Sequence, residues 1–312
     1  MAIIRSLPLE YGLQFIKRRS LFLVISACLM LGSVGLFFTQ GLNFGVDFRG
    51  GILMEIRTEG PADLSALRAR VSDLGLGEVT LQEFGEPTDV LINIERQAGE
   101  EAEQIKAIQM VREALGEGIE MRRQEFVGPK VGGELKQAGL LATVLALLGI
   151  AFYIWFRFEW HFSVAALVAL IHDVIATVGF YAITQIEFNL ATLAAVLTIA
   201  GYSINDTVVI FDRVRETLRK FKKVPLNEVL DRSINLTLSR TVLTSFTTLL
   251  ALGALFFFGG EVIRGFTAGL IWGVVIGTYS SVALAVPLLS FMKLRRGNEE
   301  DEAPSKGAAA KA

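Results

Sequence analysis

The stretch Gly201-Tyr-Ser-Ile-Asn-Asp-Thr-Val-Val-Ile-Phe-Asp-Arg-Val-Arg-Glu216 decides the membrane fold of this chain of 312 residues. It begins within an apolar run over residues 188–211, which is long enough to cross a bilayer, and it ends in charged residues. Asn205 and Asp206 lie inside that run. Inserting a carboxylate into a membrane helix costs roughly 2.5–3.5 kcal/mol. We therefore expect another part of the chain to supply a group that offsets this cost.

The composition indicates a membrane protein rather than a soluble one. Hydrophobic residues make up 52% of the chain, and the mean hydropathy is +0.49. Residues 41–135 hold 18 acidic and 10 basic residues, whereas basic residues elsewhere cluster between apolar runs. This pattern favours cytoplasmic loops over a nucleic-acid surface. The one cysteine, Cys28, lies in an apolar run and excludes a disulfide framework.

No motif for a cofactor or a catalytic metal is present in the sequence. A Walker phosphate-binding loop and a His-Glu-x-x-His pattern are both absent. We therefore expect no cofactor, no metal and no enzymatic activity. The energy for any work must come from an ion gradient or from a partner.

Six apolar runs predict six membrane helices with both termini in the cytoplasm. Basic segments lie before the first run, between the second and third, between the fourth and fifth, and after the sixth. Positive residues mark the cytoplasmic side, so residues 41–135 lie outside. The runs cover residues 20–39, 138–156, 162–184, 188–211, 241–258 and 265–292.

Residues 41–135 read as a soluble α+β domain between helices 1 and 2. Alternating and helical patterns follow the order βαββαβ, which predicts a ferredoxin-like sandwich. Its acidity and lack of catalytic residues are consistent with a docking module, or with a lid that orders the helices. The strands are expected at 51–59, 78–84, 89–96 and 119–127, and the helices from 61 to about 75 and at 100–115.

The resulting division of the chain has four parts. They are residues 1–40 (cytoplasmic N-terminus and first helix), 41–135 (outer domain), 136–292 (helices 2–6 with a basic cytoplasmic loop at 212–239) and 293–312 (a disordered cytoplasmic tail).

Arg240 is the candidate group for offsetting the burial of Asp206. If its helix starts near Ile234, Arg240 lies at the same depth as Asp206. Ser203, Thr244 and Thr247 extend a polar path along the two helices. The pair is either a structural contact or a protonation switch. In a switch, Asp206 is ionised beside Arg240 and binds a proton when separated from it.

His172 and Asp173 form a second polar pair, close to the middle of the third apolar run. Adjacent helical residues face about 100° apart, so only one is expected to point along a proton path. Asp173 is the relay candidate, and His172 is either a second relay or a packing residue.

Two glycine patterns complete the set of candidate positions. Gly265, Gly269, Gly273 and Gly277 give the last helix a stripe of small residues, suited to close packing or to sliding of a neighbour. After the first helix, Gly50 and Gly51 permit a tight turn into the first strand, and Asp47 is a capping or ion-pair candidate there.

Three motifs in this order resemble the SecF family, the smaller membrane subunits of the bacterial SecD–SecF complex within the resistance–nodulation–division superfamily. They are Gly45-Val-Asp-Phe-Arg-Gly-Gly51, Ser203-Ile-Asn-Asp-Thr-Val-Val-Ile-Phe-Asp-Arg213 and Asn235-Leu-Thr-Leu-Ser-Arg-Thr-Val-Leu-Thr-Ser-Phe-Thr-Thr248. The likeness covers residues 5 to 295, whereas other members of the superfamily normally have twelve membrane helices and two large outer domains.

The resemblance implies a function and a set of partners. SecD would be the direct partner, and the pair would use the proton gradient to promote late translocation of preproteins across the inner membrane. The SecYEG channel, its SecA motor and YajC are the other implied partners. Asp206 and Arg240 match the family's essential aspartate and arginine, and His172 and Asp173 match its polar pair. Two alternatives remain, a non-conducting adaptor of the translocon and a small-molecule efflux subunit.

Overall fold

The computed structural model describes residues 12–77, 79–95, 97, 101–116, 118–292 and 294. Six helices in this part of the chain are long and apolar enough to cross a membrane, which confirms the prediction. The helices are α1 (Arg19–Thr39), α2 (Val46–Arg49), α3 (Leu64–Ser72), α4 (Glu101–Leu115), α5 (Pro129–Arg157), α6 (Trp160–Thr184), α7 (Leu190–Lys220), α8 (Leu226–Phe258), α9 (Arg264–Ser280) and α10 (Val286–Leu289). The strands are β1 (Gly51–Thr58), β2 (Val79–Phe84), β3 (Glu86–Ile94) and β4 (Ile119–Val127).

Helix α9 lies at the centre of the membrane domain. In the most apolar stretch of its span, 72% of the residues are buried by the rest of the protein. The same share is 11% in each of the spans that contain α1, α5 and α8. Small residues let α9 approach α6 and α7 closely, so its surface is covered by protein rather than left for lipid. A π-helical turn, Ser281–Ala285, separates α9 from α10.

The outer domain is the predicted ferredoxin-like sandwich. Its four antiparallel strands lie in the order β2-β3-β1-β4. Alternate residues of the central strand β1, Ile52, Met54 and Ile56, have no exposed surface and belong to the core that includes α3 and α4. The other face of the sheet carries Leu53 and Leu91 and turns toward α2. Because successive side chains of a strand point to opposite faces, one set of β1 residues fills the domain core and the other faces the junction with the membrane helices.

Several boundaries differ from those expected. The basic segment 212–239 is not a loop, because α7 continues to Lys220 and α8 begins at Leu226. An apolar window ends at the first charges, but helical hydrogen bonding continues into water and is supported by pairs such as Arg213–Glu216 (2.8 Å). Strand β3 begins at Glu86, since Gly85 alone, at φ +85°, makes the turn.

The expected tail at 293–312 lies, apart from residue 294, outside the described residues, as do residues 1–11.

The outer domain is joined to the membrane helices at two places. The linker before α2 pairs with the α6–α7 connection: the Gly45 N–H donates to Phe188 O (3.0 Å) and the Phe188 N–H donates to Asn43 O (2.7 Å). On the other side, only Gly128 separates β4 from α5. A Cβ atom at Gly132, in the first turn of α5, would lie 3.2 Å from the Gly50 backbone nitrogen. The start of α5 and the end of α2 are therefore in close contact.

Candidate functional site

Asp173 is the centre of a buried polar cluster made by three membrane helices. Its side chain on α6 has no exposed surface. Oδ2 accepts hydrogen bonds from Ser203 of α7 and from Ser280 of α9 (2.7 Å). Hydrogen bonds to a carboxylate are stronger than neutral ones, so the cluster offsets part of the cost of burying Asp173.

His172 completes this cluster through its contact with Asp173. Its Nδ1 lies 2.9 Å from Asp173 Oδ1, and the imidazole is fully buried. The two side chains meet even though adjacent residues leave a helix in different directions. His172 Nε2 has no hydrogen-bond partner within the described part of the chain. The ring centroid lies 6.2 Å from that of Tyr279, whose hydroxyl donates to Phe22 O of α1 (3.0 Å).

Asp206 has a different environment from Asp173. It is 4% exposed, and its Oδ2 has no hydrogen-bond partner among the residues described. Arg240 is exposed on α8 and acts electrostatically on Asp206, but within the described ranges no ion pair joins the two. Helix α8 starts at Leu226, eight residues before the expected Ile234, so Arg240 lies within a continuous helix. A direct or water-bridged pair remains a prediction.

The predicted hydroxyl path is only partly assembled. Ser203 donates to Asp173 rather than to Asp206. Thr244 and Thr247 donate to carbonyls of their own helix, at 3.0 Å from Arg240 O and 3.0 Å from Leu243 O. The hydroxyls of Thr244 and Thr247 therefore donate to the helix backbone and leave their lone pairs available to other donors.

The glycine stripe of α9 packs tightly against α6 and α7. A methyl group added at Gly269 or Gly273 would overlap Tyr181 and Ile199 respectively. At Gly277 it would lie 3.0 Å from Ser203 Cβ, and at Gly265 3.0 Å from Ile186. These close approaches bring α9 near enough for Ser280 to reach the Asp173 carboxylate.

The segment from Gly45 to Gly51 has a role that its sequence did not specify. Asp47 Oδ2 accepts a hydrogen bond from the Leu190 N–H (2.8 Å), so it caps the first turn of α7 rather than its own segment. Gly50 and Gly51 adopt φ +72° and +132°, which favours glycine at both positions of the predicted turn.

Sequence reasoning missed three polar residues at or near these sites. Ser280 lies beside the recognised stripe but on an adjacent helix face, and no local pattern singles it out. Thr241 follows Arg240 and is 1% exposed, and its Oγ1 has no partner among the described residues. Glu187 lies in the short α6–α7 connection, where a charged residue is unremarkable from sequence alone.

Comparison with known proteins identifies the family. Residues 107–295 match the model of "Protein export membrane protein SecD/SecF, C-terminal", and residues 35–62 match the "SecD/SecF GG Motif". The chain is 43% identical over 301 residues to the protein translocase subunit SecF of Rickettsia felis, covering 95% of this chain and 97% of that protein. It is 47% identical over 283 residues to SecF of Magnetococcus marinus, covering 89% and 91%.

Solved structures of SecDF have the same fold. The crystal structure from Thermus thermophilus matches with a TM-score of 0.79 at 34% identity, and another, in a super-membrane-facing form, with 0.67 at 33%. They cover 88% and 89% of this chain, whereas this chain spans 38% of each SecDF chain. With the two family motifs and the near full-length relatives, these matches lead to one conclusion: this multi-pass membrane chain belongs to the SecF family of protein translocase subunits.

Proposed function

We propose that this subunit acts with SecD to couple inward proton movement to the late stage of preprotein translocation. The observation that carries the proposal is the Asp206 carboxylate, buried in a membrane helix with an unpartnered oxygen, while the cation Arg240 lies on the next helix. A buried carboxylate without a direct partner costs stability, and within membranes such residues generally serve function.

The switch consists of two arrangements of Asp206 and Arg240. When the two side chains meet, the carboxylate is ionised and its charge is compensated. When they separate, the carboxylate binds a proton, because an isolated charge is unfavourable where the dielectric constant is low. In this proposal the described geometry, in which Asp206 Oδ2 has no partner among the described residues, is assigned to the separated arrangement. Alternating access from outside and inside then carries the proton inward, driven by about 2.3 kcal/mol per charge for each 100 mV.

Asp173 and His172 extend this path in the proposal. The unpartnered His172 Nε2 is a site for exchanging a proton, and the contact between His172 and Asp173 allows transfer within the pair. Ser203 is next to this pair and one turn from Asp206, so it connects the Asp173 cluster with the switch.

The proposed setting follows from the charge pattern and from the family. The chain lies in the bacterial inner membrane with both termini in the cytoplasm, and the outer domain of residues 41–135 faces the periplasm. SecD is its direct partner, the SecYEG channel with SecA delivers the preprotein, and YajC is an additional partner. The sparsely buried helices α1, α5 and α8 offer apolar surface to lipid and to SecD.

A non-conducting adaptor is the second candidate function. It is favoured by the Asp173 carboxylate, whose three polar contacts satisfy it as a structural group without any need for proton transfer. In this case the polar residues would fix the packing of α6, α7 and α9.

The Asp206→Asn variant separates the two functions. The complex with SecD would be reconstituted in vesicles, and proton influx and gradient-stimulated preprotein translocation would be measured. We expect both to fall to the level without a gradient, since asparagine cannot be ionised. Asp212→Asn is the matched control, because Asp212 pairs with Arg157 (2.8 Å) at the cytoplasmic border. Survival of both activities in Asp206→Asn would contradict proton coupling and leave the adaptor.

A further inference from the structure

Glu187 occupies the junction between the outer domain and the membrane helices. It lies in the connection between α6 and α7 and lines two cavities of 720 and 790 Å³ that extend under the sheet. A methyl group at Gly45 would overlap the Glu187 carboxylate, so this carboxylate lies directly against the linker. Any larger residue at Gly45 would therefore require the Glu187 side chain to shift.

The surroundings of Glu187 disfavour its ionised form. Burial raises the pKa of Glu187 above its ordinary value of 4.5, and a hydrogen bond from Asn189 lowers the pKa in part. The nearby charges have smaller effects: Asp47 and Glu125 raise the pKa of Glu187, and Arg123 lowers it. Arg123 is bound to Glu125 (2.8 and 2.5 Å), so the charges of these two residues largely compensate each other. The other charged residues lining the two cavities are Arg49, Glu83, Glu95 and Arg264.

Glu187 lies next to the residues that join the outer domain to the membrane helices, so a change in its charge affects that contact. Phe188, the next residue, forms the bridge to the linker, and Asp47 of α2 caps α7 two residues further on. If the outer domain moves away from the membrane helices, water reaches Glu187 and burial no longer disfavours its ionised form. The Glu187 carboxylate is thus shielded from water only while the outer domain lies against the membrane helices, which we call the closed junction.

We propose that Glu187 is an external proton-binding site that holds the outer domain against the membrane helices when protonated and releases it when ionised. This inference goes beyond proton transfer through Asp206, because it concerns an equilibrium at the outer surface. It requires no gradient and no conduction.

The direction of the pH dependence follows from the pKa shift. Below pH 4.5 Glu187 is protonated in both arrangements, and the closed junction has its full stability. As the pH rises from there through the raised pKa, the open arrangement ionises first and the closed one loses stability. Within that window each pH unit changes the ratio of closed to open molecules by up to about tenfold.

Distance measurements between spin labels test the proposal. Labels at Ser72 of the outer domain and Ile183 of α6, with Cys28 replaced by serine, would be placed in the full chain with SecD in nanodiscs. In the otherwise unmodified chain we expect the longer-distance population to grow as the pH rises through this window. Glu187→Gln should keep the short distance at every pH. Glu83→Gln, an exposed carboxylate at the same cavity, should titrate as the unmodified chain does.

A second variant approaches the junction from the opposite side. Gly45→Ala forces the Glu187 carboxylate to shift from its place against the linker and should therefore weaken the pH response. A Glu187→Gln variant with the unmodified pH response would overturn the proposal. The same holds for an absence of pH response in the unmodified chain, or for a pH response of full size in Gly45→Ala. Proton influx through Asp206 is measured separately, so failure here leaves the proposed function standing.

Discussion

Replacing Gly273 by alanine tests how the central helix α9 is held. The added methyl group would overlap the side chain of Ile199, which is 1% exposed on α7 and has no free space to enter. Alanine gains about 1 kcal/mol of helix propensity over glycine, whereas overpacking costs typically ~1–3 kcal/mol. The net loss in the free energy of unfolding is therefore about 0–2 kcal/mol.

The control is Gly253→Ala on α8, where the new methyl group meets no atom within 4 Å. That variant keeps the gain in propensity without the overlap, so the two alanine variants should differ by ~1–3 kcal/mol. Unfolding of the purified chain in mixed micelles, followed by circular dichroism against the fraction of denaturing detergent, measures both. Equal free energies of unfolding would refute the packing argument.

The same pair of variants distinguishes the two interpretations of the glycine stripe. If the stripe serves only for packing, gradient-stimulated translocation should decline with stability and recover on cooling. A sliding surface instead predicts loss of translocation in Gly273→Ala with an unchanged free energy of unfolding.

Two further predictions concern single polar groups. Ser280→Ala removes one donor to the Asp173 carboxylate and should lower the free energy of unfolding by about 0.6 kcal/mol. Ser281→Ala is its control, because the Ser281 hydroxyl bonds only within its own helix. An equal loss in both variants would contradict the role assigned to Ser280. In the outer domain, Arg57 holds the pKa of Asp89 below its ordinary 3.8. Thermal stability of this domain should therefore be lost as the pH falls through that lowered pKa, and Asp89→Asn should abolish this dependence in melts of the full chain. An unchanged acid dependence in the variant would exclude Asp89 as its origin.

The six membrane spans and the outer fold were predictable because both rest on local patterns. Apolar runs have the length that a bilayer requires, and the βαββαβ order follows from periods of two and 3.6 residues. The ends of α7 and α8 were not predictable in the same way, since hydropathy records the edge of the membrane and not the end of hydrogen bonding.

The candidate site was predictable only as residue types. Asp173 and Asp206 stand out because charges are rare in apolar runs, and Arg240 stands out because it borders the fifth run. Ser280 lies 107 residues from Asp173 in sequence, and its contact depends on how closely α9 approaches α6. Packing between helices likewise decides that Asp173 has hydrogen-bond donors whereas Asp206 Oδ2 has no partner among the described residues. The spacing of residues along one helix does not predict this difference.

The two attachments of the outer domain limit how it can move. At one side β4 passes into α5 through Gly128 alone, and at the other Gly50 lies against Gly132 of the same helix. Both of these contacts lie at the start of α5, and the linker before α2 is in addition bridged to the α6–α7 connection through Gly45 and Phe188. Because so short a connection leaves little slack, a tilt of α5 within the membrane would be passed directly to the sheet outside it.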